Sequence, residues 1–125
     1  MIRFLIDTDT AIFATTGQYP QIAVHMQEYQ PGELGLSVIS YAEIVLGMEL
    51  GKPPTPEALE AFVDIVPIQS FEEGAARAYA KLPFKRARFD RLLAAHALSI
   101  GAIIVTNNEA DFADVPGLRV ENWTV

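Results

Sequence analysis

The amino-acid sequence predicts an α/β domain in which a parallel sheet carries helices on both faces. Two observations point there. Residues 2–6 and 102–106 are short, almost wholly apolar runs, the mark of strands buried on both sides. Between and around them lie segments with helix caps and helix breakers, so strands alternate with helices along the chain.

The elements follow in order. After the strand at 2–6, a short helix is expected from Thr8 to about Ala14, stopped near Gly17 and Pro20. Residues 21–30 read as a helix ended by the Pro-Gly-Glu at 31–33, and residues 34–39 as a short apolar strand. A helix from Tyr41 to Leu50 is expected next, with Ser40 and Glu43 at capping-box spacing. Thr55 then caps a helix that has Pro56 in its first turn. Residues 64–68 read as a strand, and Ser70 and Glu73 repeat the capping-box spacing ahead of a helix to about Lys81. The compact apolar helix at 90–101, the strand at 102–106, a polar turn and an edge strand near 118–123 complete the chain.

The length of 125 residues suits one domain with a sizeable core, and no internal repeat or linker divides it. Half of the residues are hydrophobic and a fifth charged, as in a folded rather than a disordered chain. No apolar run reaches the roughly 18–20 residues that span a bilayer. A secretory signal is not expected at the N-terminus. With no cysteine, disulfides and thiolate metal sites are excluded, and a cytoplasmic location is expected.

Sixteen acids against nine bases give a net charge of -7, which argues against coating nucleic acid through bulk positive charge. Six of those nine bases (Arg77, Lys81, Lys85, Arg86, Arg88 and Arg91) nevertheless fall in one stretch. That strip either holds phosphates or is a solvated loop and helix face.

Four acids stand at element junctions. Asp7 follows the first strand, Glu43 opens a helix after the second, Asp90 opens the apolar helix and Asp111 follows the strand at 102–106. In a parallel sheet such junctions gather beyond the carboxyl ends of the strands, where sites form. Carboxylates converging there repel one another, and a hard divalent cation such as Mg²⁺ or Mn²⁺ relieves the repulsion. Each acid also has a plain structural role available. Glu43 can complete a capping box, Asp90 can face a helix dipole, and Asp111 can serve a polar turn. Asp7, closing a core strand and followed by Thr8 and Asp9, favours function over capping. His96, inside the apolar helix, reads as a packed histidine, and His25 has no partner spacing, so histidine acid–base chemistry has little support.

Four blocks then resemble the PIN-domain ribonucleases, and within them the VapC-type toxins of toxin–antitoxin pairs. They are LIDTD at 5–9, SVISYAEIVLG at 37–47, FDRLLAAHAL at 89–98 and GAIIVTNNEADFADVPGLRVENW at 101–123. The resemblance implies a three-layer α/β/α PIN-like domain over residues 1–125, with a central, mainly parallel sheet of four to five strands. It implies a metal-dependent endoribonuclease using Mg²⁺, with Mn²⁺ as a substitute. Asp7, Glu43 and Asp90 become the catalytic metal-binding acids, with Asp111 completing the patch. Asn108 stands where many relatives have an acid and would offer a neutral oxygen or a water contact, and Thr106 would shape the same pocket. Asp9 stands where such toxins usually carry asparagine, and either strengthens metal binding or points away.

The resemblance also implies an RNA substrate, a VapB-type antitoxin, a homodimer and a toxin–antitoxin hetero-oligomer. Residues around Ile44, Val45, Leu46 and Met48 would form part of the antitoxin groove or simply core. Lys85, Arg86 and Arg88, just before Asp90, would hold the RNA backbone that the acidic rim repels. Two alternatives stand beside this. One is a PIN-like module that binds without cutting. The other is a haloacid-dehalogenase-type phosphatase, suggested by DTDTA at 7–11, although Ala11 replaces the usual Thr or Val and the late acid pair is missing. If the basic strip grips phosphates, replacing Arg86 and Arg88 together weakens RNA binding and flattens its salt dependence; an unchanged slope of affinity against salt would count against it.

Overall fold

The computed structural model describes residues 1–83 and 88–125, the side chain of Arg88 excepted. Five strands form one sheet: β1 (Phe4–Ile6), β2 (Leu34–Ser37), β3 (Ile68–Gln69), β4 (Ile103–Val105) and β5 (Val120–Glu121). Their order is β3-β2-β1-β4-β5, and every pairing is parallel. The expected mainly parallel sheet is therefore wholly parallel. The central strand β1 pairs Phe4 with Leu34 on one side and with Ile103 on the other.

The pleat sends alternate residues to opposite faces, and the two cores separate accordingly. Phe4, Ile6, Leu36 and Val105 pack against α1 (Thr8–Thr16), α2 (Pro20–Gln27), α3 (Val38–Glu49) and α4 (Pro56–Ile65), through Ala11, Ile22, Ile44 and Phe62. Leu5 and Ile104 face the other way, onto Leu93, Ala94 and Ala97 of α6 (Arg88–Ile100), which α5 (Glu73–Ala80) covers. The small alanines let α6 lie close to the sheet. These are the three layers the sequence predicts.

Several boundaries differ from expectation. The third helix, α3, begins at Val38, not Tyr41, because Ser37 closes β2 and accepts a hydrogen bond from the Ile39 amide at 3.1 Å. The β-branched pair Val38–Ile39 looks like strand, but the cap and the sheet edge overrule that propensity. Ser40 is thus a buried helical residue and forms no capping box with Glu43. Likewise α5 starts after Glu72, whose side chain makes no cap, and not at Ser70. Of the strand expected at 64–68, the first two residues end α4 and Val66 caps it, leaving Ile68–Gln69 as the paired strand. Thr55 does cap α4, accepting from the Ala58 amide at 3.1 Å.

The N-terminal and C-terminal segments meet in an aromatic cluster. Trp123 is 1% exposed, stacks on Tyr29 and His25, and lies 5.3 Å from the Phe4 ring. Truncating it leaves a large void that these rings cannot close. Trp123→Ala should cost about 3–5 kcal/mol of unfolding free energy, measured by denaturant titration.

Candidate active site

The strand order reverses at β1. Chain connections run outward to β2 and β3 on one side and to β4 and β5 on the other, which opens a crevice beyond the carboxyl ends of β1 and β4. Asp7 follows β1 directly, and Thr106 follows β4. Their backbones are tied together there, the Asp7 amide donating to the Val105 carbonyl at 3.0 Å.

A cavity of about 90 Å³ fills this crevice, lined by Asp7, Thr8, Asp9, Glu43, Asp90, Leu93, Thr106, Asn108, Asp111 and Phe112. All four acids singled out in the sequence line it, although 104 positions (111 − 7) separate the first from the last. Leu93 and Phe112 supply an apolar wall. Lys85 and Arg86, and the side chain of Arg88, lie outside the described residues. Arg91 does not extend a basic strip; it is 4% exposed and paired with Asp114 at 2.9 Å. Its guanidinium also donates to the Asp111 carbonyl at 3.4 Å, which ties the loop carrying that acid to α6.

Three of the four carboxylates are oriented by a neutral donor, and the fourth, Asp90, is hydrogen-bonded to the Asp111 carboxyl group. Asp7, 9% exposed, caps α1 by accepting from the Thr10 amide at 2.9 Å, and the buried Thr106 hydroxyl bonds it as well. Capping and site formation are therefore one placement, not rival roles. Glu43 accepts from the Thr8 hydroxyl at 2.7 Å, so the side chain freed from any capping box is turned into the crevice. Asp111 accepts from the Asn108 side-chain amide at 2.6 Å. Asn108 thus lines the cavity and holds the Asp111 carboxyl group. Thr8 was not singled out as a candidate; its signal was its place between two aspartates at the strand end.

Crowding of like charge shows in proton affinity. Burial, followed by the carboxyl groups of Asp111, Glu43 and Asp7, pushes the Asp90 carboxyl up to about 6. Burial also raises Asp7, against the opposing hydrogen bonds from Thr106 and Thr10, and exposed Asp9 adds to the rise. An all-oxygen set of this kind suits a hard divalent cation. Among the described residues no group of three or more acids or histidines is drawn tightly enough to grip an ion as placed. As placed, Asp7, Glu43 and Asp111 turn to threonine or asparagine donors, and Asp90 shares a hydrogen bond with Asp111.

Neither histidine enters the cavity. His25 stacks on Trp123 with ring centroids 5.2 Å apart. His96 is 1% exposed, its Nδ1 lying 2.7 Å from the Ser37 hydroxyl, and burial lowers its pKa.

Because the folded protein holds the Asp90 proton to about pH 6, the unfolded chain releases it first as pH rises. The native state therefore binds more protons over that interval, and stability falls as pH climbs from about 4 to about 6. Asp90→Asn should shallow that fall and raise the melting temperature of the metal-free protein near neutral pH, read by calorimetry across a pH series.

Comparison with known proteins agrees with this architecture. The PIN domain family model matches residues 4–118. The tRNA(fMet)-specific endonuclease VapC of Shigella flexneri is 30% identical, with 99% of this chain and 100% of that protein aligned. Its namesake from Salmonella typhimurium is 28% identical over 98% of this chain and 99% of its own. Among solved structures, DNA-bound VapBC from Salmonella typhimurium superposes with a TM-score of 0.84 at 27% identity, covering 98% of this chain and 99% of that one. VapBC-1 from nontypeable Haemophilus influenzae gives 0.79 at 25% identity over the full length of both chains. With the sheet order, the crevice and these full-length likenesses in agreement, the chain belongs to the PIN-domain family, among the VapC-type ribonuclease toxins of toxin–antitoxin systems.

Proposed function

We propose that residues 1–125 act as one PIN domain that hydrolyses RNA phosphodiester bonds with a divalent cation, Mg²⁺ or Mn²⁺, held by Asp7, Glu43, Asp90 and Asp111. The observation that carries this is the meeting of all four carboxylates round one cavity of about 90 Å³, with the Asp90 carboxyl pushed up to about 6. When bound, such a cation offsets phosphate charge and makes a water acidic enough to attack at neutral pH.

The remaining work falls to the chain. Thr8, Thr10, Thr106 and Asn108 hold the carboxylate oxygens in place before substrate arrives. Leu93 and Phe112 limit water on one side. A site with acids and no lining histidine matches attack by water rather than by the ribose 2′-hydroxyl, so the products carry a 5′-phosphate and a 3′-hydroxyl. Lys85, Arg86 and Arg88 would bring the RNA backbone to this rim. The Shigella and Salmonella relatives named for tRNA(fMet) make initiator tRNA the first substrate to test.

The partner reading is a VapB-type antitoxin in a hetero-oligomer, with a toxin homodimer, in the cytoplasm; the Salmonella and Haemophilus structures are VapBC complexes. No helix among the described residues is long and apolar enough to cross a membrane. For the residues at 44–48, expected as antitoxin groove or core, most of the burial is on the core side. Ile44 is 1% exposed, and Val45 and Met48 pack on the core, leaving Leu46 outward. A shallow apolar groove of about 340 Å³ lies instead between α1, α2 and α4, floored by Ala23, Ala58 and Ala61 and walled by Met26, Phe62 and Ile65. Its small residues leave room for an apolar partner helix.

Asp7→Asn removes a charge while keeping the oxygen that the Thr10 amide bonds. It should abolish Mn²⁺-dependent cleavage of initiator tRNA with little loss of melting temperature. A 2′,3′-cyclic phosphate at the cut, or cleavage undiminished by EDTA, would refute the proposal. An aspartyl phosphate trapped from a small phosphomonoester would favour the phosphatase alternative, and metal binding without cleavage the passive module.

A further inference from the structure

Glu43 and Asp90 reach the cavity from different helices, and one buried polar contact ties those helices together. Ser37, fully buried at the end of β2, accepts from the Ile39 amide at 3.1 Å. Its Oγ also lies 2.7 Å from Nδ1 of His96 in the middle of α6. A hydroxyl oxygen can accept twice, so the second contact of the ring fixes the tautomer: the Ser70 backbone bond favours the protonated ring, as a carbonyl accepting from a ring N–H does. With that proton on Nε2, Nδ1 accepts from the Ser37 hydroxyl. The resulting relay runs from the Ile39 amide through Ser37 and His96 to the segment between β3 and α5.

Its placement matters for the acids. Glu43 lies four residues past Ile39, one turn along the same face of α3. Asp90 lies six residues before His96, about 9 Å along the α6 axis. No residue of the relay lines the acidic cavity. We propose that Ser37 and His96 are positioning residues, a buried latch that sets the register of α3 against α6 and so the distance between Glu43 and Asp90. The role rests on the reading of those two acids as metal ligands. Outer hydrogen bonds of this kind commonly change metal affinity when removed.

The test is Mn²⁺ titration calorimetry on the folded protein, alongside melting temperature and initiator-tRNA cleavage. Ser37→Ala removes both the latch and the α3 cap, whereas His96→Phe removes only the latch and keeps a ring of similar bulk. Both should weaken Mn²⁺ binding roughly tenfold and lower kcat with KM for RNA little changed. Ser37→Thr, which retains the hydroxyl, should restore most of each. Thr55→Ala deletes the equivalent cap of α4, distant from the acids, and should lower the melting temperature alone.

If Ser37→Ala bound Mn²⁺ as wild type does while losing stability as Thr55→Ala does, the contact would be only a cap and the proposal overturned. His96→Phe with wild-type Mn²⁺ affinity would overturn it equally, and should that variant not fold, the Ser37 series decides. No Mn²⁺ binding by the wild type itself would be a different failure, sinking the assignment of the acids and the latch's role with it.

Discussion

Like charges held close in a partly dry cavity govern this molecule. Three carboxyl groups act together on the fourth, and the Asp90 carboxyl rises to about 6 as burial and Asp111, Glu43 and Asp7 oppose its ionisation. A fold that did nothing but maximise its own stability would separate these groups, since each unit of pKa shift costs about 1.4 kcal/mol of interaction. The scaffold instead brings them together from four places in the chain and spends neutral donors on them. That tension is what supports the proposal of a cation site here.

The parallel sheet makes the gathering possible. All strands point the same way, so every strand end that leads into a helix or turn opens on one edge, and the reversal of order at β1 leaves a gap there. The same sheet needs two covered faces. Phe4, Ile6 and Val105 serve one core and Leu5 and Ile104 the other. The site is thus seated on the most buried strands, with Asp7 directly after β1 and Glu43 and Asp90 reaching it from α3 and α6. The hydroxyls of Thr8 and Thr106, close to strand ends, and the Thr10 backbone amide hold carboxylates without adding charge.

Two side chains show how a helix can serve stability and chemistry at once. Asp7 terminates β1, caps α1 and faces the cavity, all with one carboxylate. Ser37 terminates β2, caps α3 and bonds His96. In both cases the residue after a buried strand is short, polar and fixed by a following amide. These two junctions place Asp7 at the start of α1 and Glu43 six residues past Ser37, both lining the same cavity.

The sequence alone was enough for the α/β class, the existence of nearly every element and the four acids, because these rest on local signals. Apolar runs identify buried strands, and an aspartate closing such a run is expensive enough to attract notice. Helix starts were less legible. Ser40 with Glu43 and Ser70 with Glu73 have capping-box spacing, yet the caps fall at Ser37 and Glu72, because the sheet edge and the His96 contacts decide where each helix begins. Tertiary structure also decided the fate of charges that look alike in one dimension. Arg91 is buried against Asp114, and Asn108 donates its side-chain amide to Asp111. Local pattern records what a residue prefers; which partner it meets across a hundred positions is set only when the strands pair and the helices close over them.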